Sequence, residues 1–103
     1  VETTRVIVSG GVHLSAEVAG SPDAPPMVLL HALGQRGSHW APVLPRLSDR
    51  FRVYAPDLRG HGDSDWPGTY SFQLMRADIA GMLDQLDLGR VTLIGHSMGA
   101  GVA

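Results

Sequence analysis

The chain has 103 residues, no cysteine and a net charge of −2, with 44% of its residues hydrophobic. That suits one small globular domain, and the lack of cysteine excludes disulfides, thiol nucleophiles and cysteine-ligated metals. All eight basic residues are scattered arginines, which excludes within this segment a phosphate-loop lysine, a Schiff-base lysine and a Ser-Lys dyad and leaves no basic stripe for nucleic acid.

Residues 4–8 read as a weak strand and residues 12–18 as a clearer one, because apolar and polar residues alternate as on a strand with one buried face. Gly10-Gly11 between them suits a tight turn at positive φ. Residues 20–26 are a turn-rich connection. Met27-Val28-Leu29-Leu30 is a continuous apolar run, as of a strand buried on both faces. A short helix is predicted over 40–47, with Pro42 in its first turn, and a strand over 51–55 closed by Pro56. A polar, glycine-rich loop covers 57–69. Phe72, Met75, Ile79, Met82, Leu83 and Leu86 then recur at helical spacing, with Ser71 as N-cap and Gly89 as the stop. Val91-Thr92-Leu93-Ile94 is a second doubly buried strand, followed by a helix start rich in small residues, Ala100, Gly101 and Ala103. After the hairpin, strands and helices alternate. That order predicts an α/β fold with an open, mostly parallel sheet and a single domain over 1–103.

Between the last strand and that helix stands Gly95-His96-Ser97-Met98-Gly99, a G-x-S-x-G sequence. This composition gives about 0.12 chance occurrences of the pattern, so its setting between a buried strand and a helix start is what makes it specific. On a strained strand-to-helix turn, the Ser97 hydroxyl would stand as a nucleophile at the C-terminal edge of the sheet. Gly95 and Gly99 would let strand and helix approach closely, and the helix start would set the Met98 N–H beside developing oxyanion charge.

Two further motifs precede it. His31-Ala32-Leu33-Gly34 follows the apolar strand, and Asp57-Leu58-Arg59-Gly60-His61-Gly62-Asp63-Ser64 follows the next. With the three motifs in this order, the chain resembles the α/β-hydrolase superfamily over nearly its whole length. The resemblance implies the N-terminal part of that fold: a β-hairpin leading into a mostly parallel sheet of strand order 1-2-4-3-5, incomplete without its C-terminal half. It implies the Leu33 and Met98 N–H groups as oxyanion donors, with Ala32 in place of the usual first glycine of the loop. His31, Gly34, Asp57, Arg59, Gly95, His96 and Gly99 are then supporting motif residues. The family's chain order is serine, then Asp or Glu, then His, so both triad partners of Ser97 are expected after residue 103.

The function this resemblance implies is a serine hydrolase acting on an ester, lactone or related acyl substrate through a Ser97 acyl-enzyme, without cofactor or metal. The motif set is also similar to that of enol-lactone hydrolases, carbon–carbon bond hydrolases, cofactor-free haloperoxidases and acyltransferases. A serine at 97 disfavours epoxide hydrolases and haloalkane dehalogenases, whose members use aspartate there. The alternatives are a non-catalytic ligand receptor of the same fold and an inactive structural fragment. Alone, the segment is expected to be inactive, with its last strand an open apolar edge. Its expected partners are a small acyl substrate and the rest of the fold, from the same gene, a second chain or a swapped copy. Neither nucleic acid nor membrane is an expected partner, and with no signal-like or spanning segment the default compartment is the cytoplasm. Asp57 and Arg59 read as a loop-bracing pair, and His31 and His96 as hydrogen-bonding supports rather than proton carriers. His61, Asp63 and Asp65 read as a flexible solvated loop rather than a metal site. Trp40, Phe72 and the methionines read as core or pocket lining.

Overall fold

In the computed structural model, which describes residues 2–7, 11–32, 34–68, 70–96 and 98–102, the strands are β1 (Glu2–Ile7), β2 (His13–Ala19), β3 (Pro26–Leu30), β4 (Arg52–Pro56) and β5 (Thr92–Gly95). They form one sheet in the order β1-β2-β4-β3-β5, as the resemblance implies. β2 pairs antiparallel with both β1 and β4, whereas β3 pairs parallel with β4 and β5. Gly11 takes a φ of +78° as the chain enters β2; Val8 and Gly10 lie outside the described residues.

The apolar run of β3 is buried because it has a neighbour on each side and a cover on each face. Successive side chains alternate across the sheet. Val28 and Leu30 join Leu14, Met75, Ile79 and Met82 under helix α2 (Phe72–Gln85), whereas Met27 and Leu29 pack with Leu44, Val53 and Ala55 under helix α1 (Leu44–Leu47). Phe72, expected as core or pocket lining, is not in the core: it is 47% exposed at the first turn of α2. Two other expectations about strands change. β2 is not open on its polar face, since Ser15 is buried beneath the loop that follows β4. β5 is not doubly buried: its burial alternates, and Ile94 is 39% exposed on a strand that ends the sheet among the described residues.

The helix over 40–47 is two shorter pieces, a 3-10 turn at Gly37–Trp40 and α1 at Leu44–Leu47. Pro42 and Pro45 each remove an N–H donor, and Pro45 is accommodated only because it falls in the first turn of α1. α2 begins as expected, with Ser71 Oγ accepting the Leu74 N–H at 3.1 Å. It ends before Gly89. Asp87 takes the left-handed conformation at φ +52°, its N–H donates to Asp84 O at 3.1 Å, and the Leu88 N–H donates to Leu83 O at 3.2 Å. These two bonds satisfy the last carbonyls of the helix, and Leu83 and Leu88 both pack on the core beneath the turn. The sequence cue was misplaced because aspartate, like asparagine, tolerates the left-handed region that glycine usually fills.

Candidate active site

Strand register sets the site. Leu30 of β3 lies opposite Gly95 of β5, so the two strands reach the C-terminal edge of the sheet level with each other. The His96 N–H donates to Leu30 O at 3.0 Å, extending the pairing, and the Gly99 N–H donates to His96 O at 3.0 Å, closing the turn into α3 (Met98–Val102). Ser97 and Leu33 lie outside the described residues, and Met98 is the first residue of α3. A Cβ placed on Gly99 would overlap the carbonyl oxygens of both Leu30 and His31. Only glycine lets α3 pack this closely over the end of β3. Gly99→Ala is therefore expected to destabilise the full-length protein by about 1–3 kcal/mol, as an overpacked site with backbone on the far side; urea unfolding with no loss of stability would contradict this contact.

His31, just past β3, is fully buried. Its Nδ1–H donates to Ala32 O at 2.8 Å, and its Nε2 accepts the Leu58 N–H at 2.9 Å. The carbonyl and the amide together fix one neutral tautomer. Burial holds the pKa of His31 below the ordinary 6.5, with His61 pushing it further down and the Ala32 bond opposing. Because the unfolded chain takes up the proton first, the stability from neutral His31 is complete above the unfolded value and is lost as pH falls from about 6.5 toward the lower folded value, at no more than about 1.4 kcal/mol per pH unit. The urea midpoint of the full-length protein is expected to drop over that window, and to drop less in a His31→Asn variant, which carries no titrating ring. Equal pH dependence of the two proteins would contradict this assignment.

His61 makes the reciprocal stitch. Its Nε2 accepts the Gly34 N–H at 3.2 Å, its Nδ1–H donates to Arg59 O at 3.0 Å, and its ring centroid is 4.8 Å from that of His31. Two histidines thus tie the loop after β3 to the loop after β4, and both nitrogens of each ring are engaged. His96 is exposed next to Gly95, and both line a cavity of about 430 Å³ together with Gln35, His39 and Trp40. A second cavity, of about 510 Å³, opens between Gly34, Gln35, His61, Trp66, Tyr70 and Met75.

The loop after β4 is pinned, not flexible as expected. The β2–β4 ladder runs to the pair Ala16 and Pro56. Beyond it the Asp57 N–H donates to Ser15 O at 2.8 Å, and the Ser64 hydroxyl stands in for the returning ladder bond: it accepts the Ser15 N–H at 2.9 Å and donates to Asp57 O. The buried Asp57 carboxylate accepts the N–H groups of Gly37 at 2.7 Å and Asp63 at 2.9 Å, with Arg36 at 3.7 Å. A Cβ on Gly62, at φ +50°, would collide with that carboxylate. Asp65 accepts the His13 N–H at 2.8 Å, and this bond, with that from the His13 ring, holds its carboxyl below the ordinary range.

Asp57 and Arg59 brace this loop, but not as a pair. Arg59 instead forms two bonds to Asp78 of α2, at 2.5 and 2.7 Å, with both residues buried. The bond to Asp78 raises the already high pKa of Arg59. Asp78 and Ser15 were not singled out from the sequence, and Ser64 entered only as the last residue of the loop motif. The available signal was an aspartate inside the apolar stripe of α2, between Met75 and Met82, where only a paired charge is tolerated. Among the described residues, no group of three or more His, Asp or Glu is placed to hold a metal ion. No helix among them is long and apolar enough to cross a membrane.

A family described as alpha/beta hydrolase fold matches residues 25–103. The chain is 36% identical over 102 residues to epoxide hydrolase A of Mycobacterium tuberculosis, covering 95% of this chain and 32% of that protein. It is 39% identical over 98 residues to 2-(acetamidomethylene)succinate hydrolase of Mesorhizobium japonicum, covering 94% and 34%. Among solved structures, the enol-lactonase of Burkholderia xenovorans superposes with a TM-score of 0.91 at 36% identity, covering 96% of this chain and 39% of that one. The chain spans about a third of the length of these relatives.

Proposed function

The chain belongs to the α/β-hydrolase fold family, and from that premise we propose that the full-length protein is a serine hydrolase of ester, lactone or related acyl substrates. Ser97 Oγ adds to the carbonyl carbon, and the resulting oxyanion is held by the N–H groups of Leu33 and Met98. The tetrahedral adduct expels the alcohol or enol to leave an acyl-Ser97, which water then cleaves. The base that takes the Ser97 proton and returns it to the leaving group is a histidine beyond residue 103, oriented by a carboxylate also beyond it.

The observation that carries this reading is the level ending of β3 and β5, with Gly99 packed over the carbonyls of Leu30 and His31. It supports an elbow lying directly against the His31–Gly34 loop, the arrangement a two-amide oxyanion hole needs. The two-sided bonding of His31 and His61 argues against either as the base. Epoxide hydrolases and hydrolases of acyl compounds both occur among the relatives. Serine rather than aspartate at 97 favours the acyl class here.

A fluorophosphonate probe tests the proposal on the full-length protein. A covalent adduct on the peptide containing Ser97, with turnover of p-nitrophenyl acetate, is the expected result. A folded protein that neither labels nor turns over would overturn it in favour of a receptor on the same fold.

A further inference from the structure

Resting on that reading of the oxyanion hole, we infer that His31 is a positioning residue that sets the direction of the first oxyanion donor by anchoring the opposite side of its peptide. The Ala32 carbonyl accepts two bonds, from His31 Nδ1–H at 2.8 Å and from the Gln35 N–H at 3.1 Å. A peptide unit is planar and trans, so its N–H points away from its C=O. Holding the Ala32 carbonyl therefore fixes which way the N–H of that same peptide unit, the Leu33 amide, faces. Gly34 follows at φ +77°, which lets the chain turn back so that the Gln35 N–H reaches the same carbonyl.

His31 is suited to this task because its other nitrogen is committed. With Nε2 accepting the Leu58 N–H at 2.9 Å, the proton must sit on Nδ1, so the ring is a donor at Ala32 and nowhere else. The ring is fully buried, so water does not compete for either bond. The bond from His31 holds the Ala32 peptide in place.

Two isosteres separate the bonds in the full-length protein. An asparagine amide reaches the position of Nδ1, so His31→Asn keeps a donor at Ala32 and loses the acceptor at Leu58. A glutamine carbonyl reaches the position of Nε2, so His31→Gln keeps the acceptor and loses the donor. With p-nitrophenyl acetate, His31→Gln is expected to lower kcat about 10–100-fold with KM nearly unchanged, as a misdirected oxyanion donor would. His31→Asn is expected to recover most of that loss although it unfolds at lower urea. Equal losses of kcat in the two variants, or none in His31→Gln, would overturn the inference.

Ser97→Ala, run alongside, separates this from the underlying reading: undiminished turnover in that variant defeats the nucleophile assignment whatever His31 does. Should the glutamine variant fail to fold, nitrogen-15 NMR of the histidine rings in the unmodified protein decides. A neutral ring protonated at Nδ1, lost in His31→Asn, is expected; a ring protonated at Nε2 would overturn the inference.

Discussion

Replacing Ser97 by alanine in the full-length protein is expected to lower kcat for p-nitrophenyl acetate by about 10⁴–10⁶-fold, the scale seen when a serine hydrolase loses its nucleophile. The expected loss is large because a covalent step disappears, and the oxyanion donors alone accelerate attack by water only modestly. Stability should stay within about 0.5 kcal/mol, since the contacts that close the turn run through neighbouring backbone: His96 N–H to Leu30 O, Gly99 N–H to His96 O, and the packing of Gly99 on β3. Steady-state kinetics and urea unfolding on the same sample check both halves. Turnover above about a tenth of the starting value would remove Ser97 from the mechanism, and a large loss of stability would mean that the turn itself depends on the hydroxyl.

The parts of the fold that follow from periodicity were legible in the sequence. The run Met27–Leu30 suited a strand covered on both faces, and the stripe Met75, Ile79, Met82 suited the inner face of a helix; both hold. Strand order came from the family resemblance, since nothing local to a strand encodes which neighbour it chooses. What stayed hidden were bonds between residues far apart in the chain. Ser64 looks like any loop serine until its hydroxyl is seen to bridge the Ser15 N–H and the Asp57 carbonyl, where a direct ladder bond would otherwise run. Asp57 and Arg59 are two residues apart and opposite in charge, which suggested a pair. The backbone between them sends one side chain to the N–H groups of Gly37 and Asp63 and the other to α2.

At the site, residue types announced the chemistry and register supplied the geometry. G-x-S-x-G suggested a nucleophile, and the pairing of Leu30 with Gly95 brings the strand that precedes the motif level with the start of the loop at His31. The glycine at 99 was expected from the motif, and its reason is physical: two backbone carbonyls occupy the space a side chain would need. The roles of His31 and His61 as reciprocal stitches could not be read from sequence, because each depends on an amide 27 residues away.

Asp78→Ala is expected to cost about 3–5 kcal/mol, the largest loss of stability foreseen for any single side chain here. Removing the carboxylate takes away the anion that forms two bonds to the guanidinium of Arg59, a residue only 4% exposed. Desolvation of a charge is tolerated only when its counter-charge is in place. Asp78→Asn keeps an acceptor but not the charge, so its loss should be smaller. Replacing both residues together by apolar ones of similar volume should recover much of the loss, because a buried pair is costly chiefly when half of it is removed. Urea unfolding of the single and double variants checks this, and additive losses would sink it.

The damage should also reach the site. Arg59 directly follows Leu58, whose N–H holds Nε2 of His31, and Nδ1–H of that ring holds the Ala32 carbonyl. If Arg59 is displaced from α2, that chain of bonds loosens at its far end. kcat for p-nitrophenyl acetate should therefore fall in Asp78→Ala under conditions where the protein is still folded, and recover in the double variant along with stability. A folded Asp78→Ala protein with unchanged kcat would uncouple the helix from the loop and confine the pair to holding α2 on the sheet.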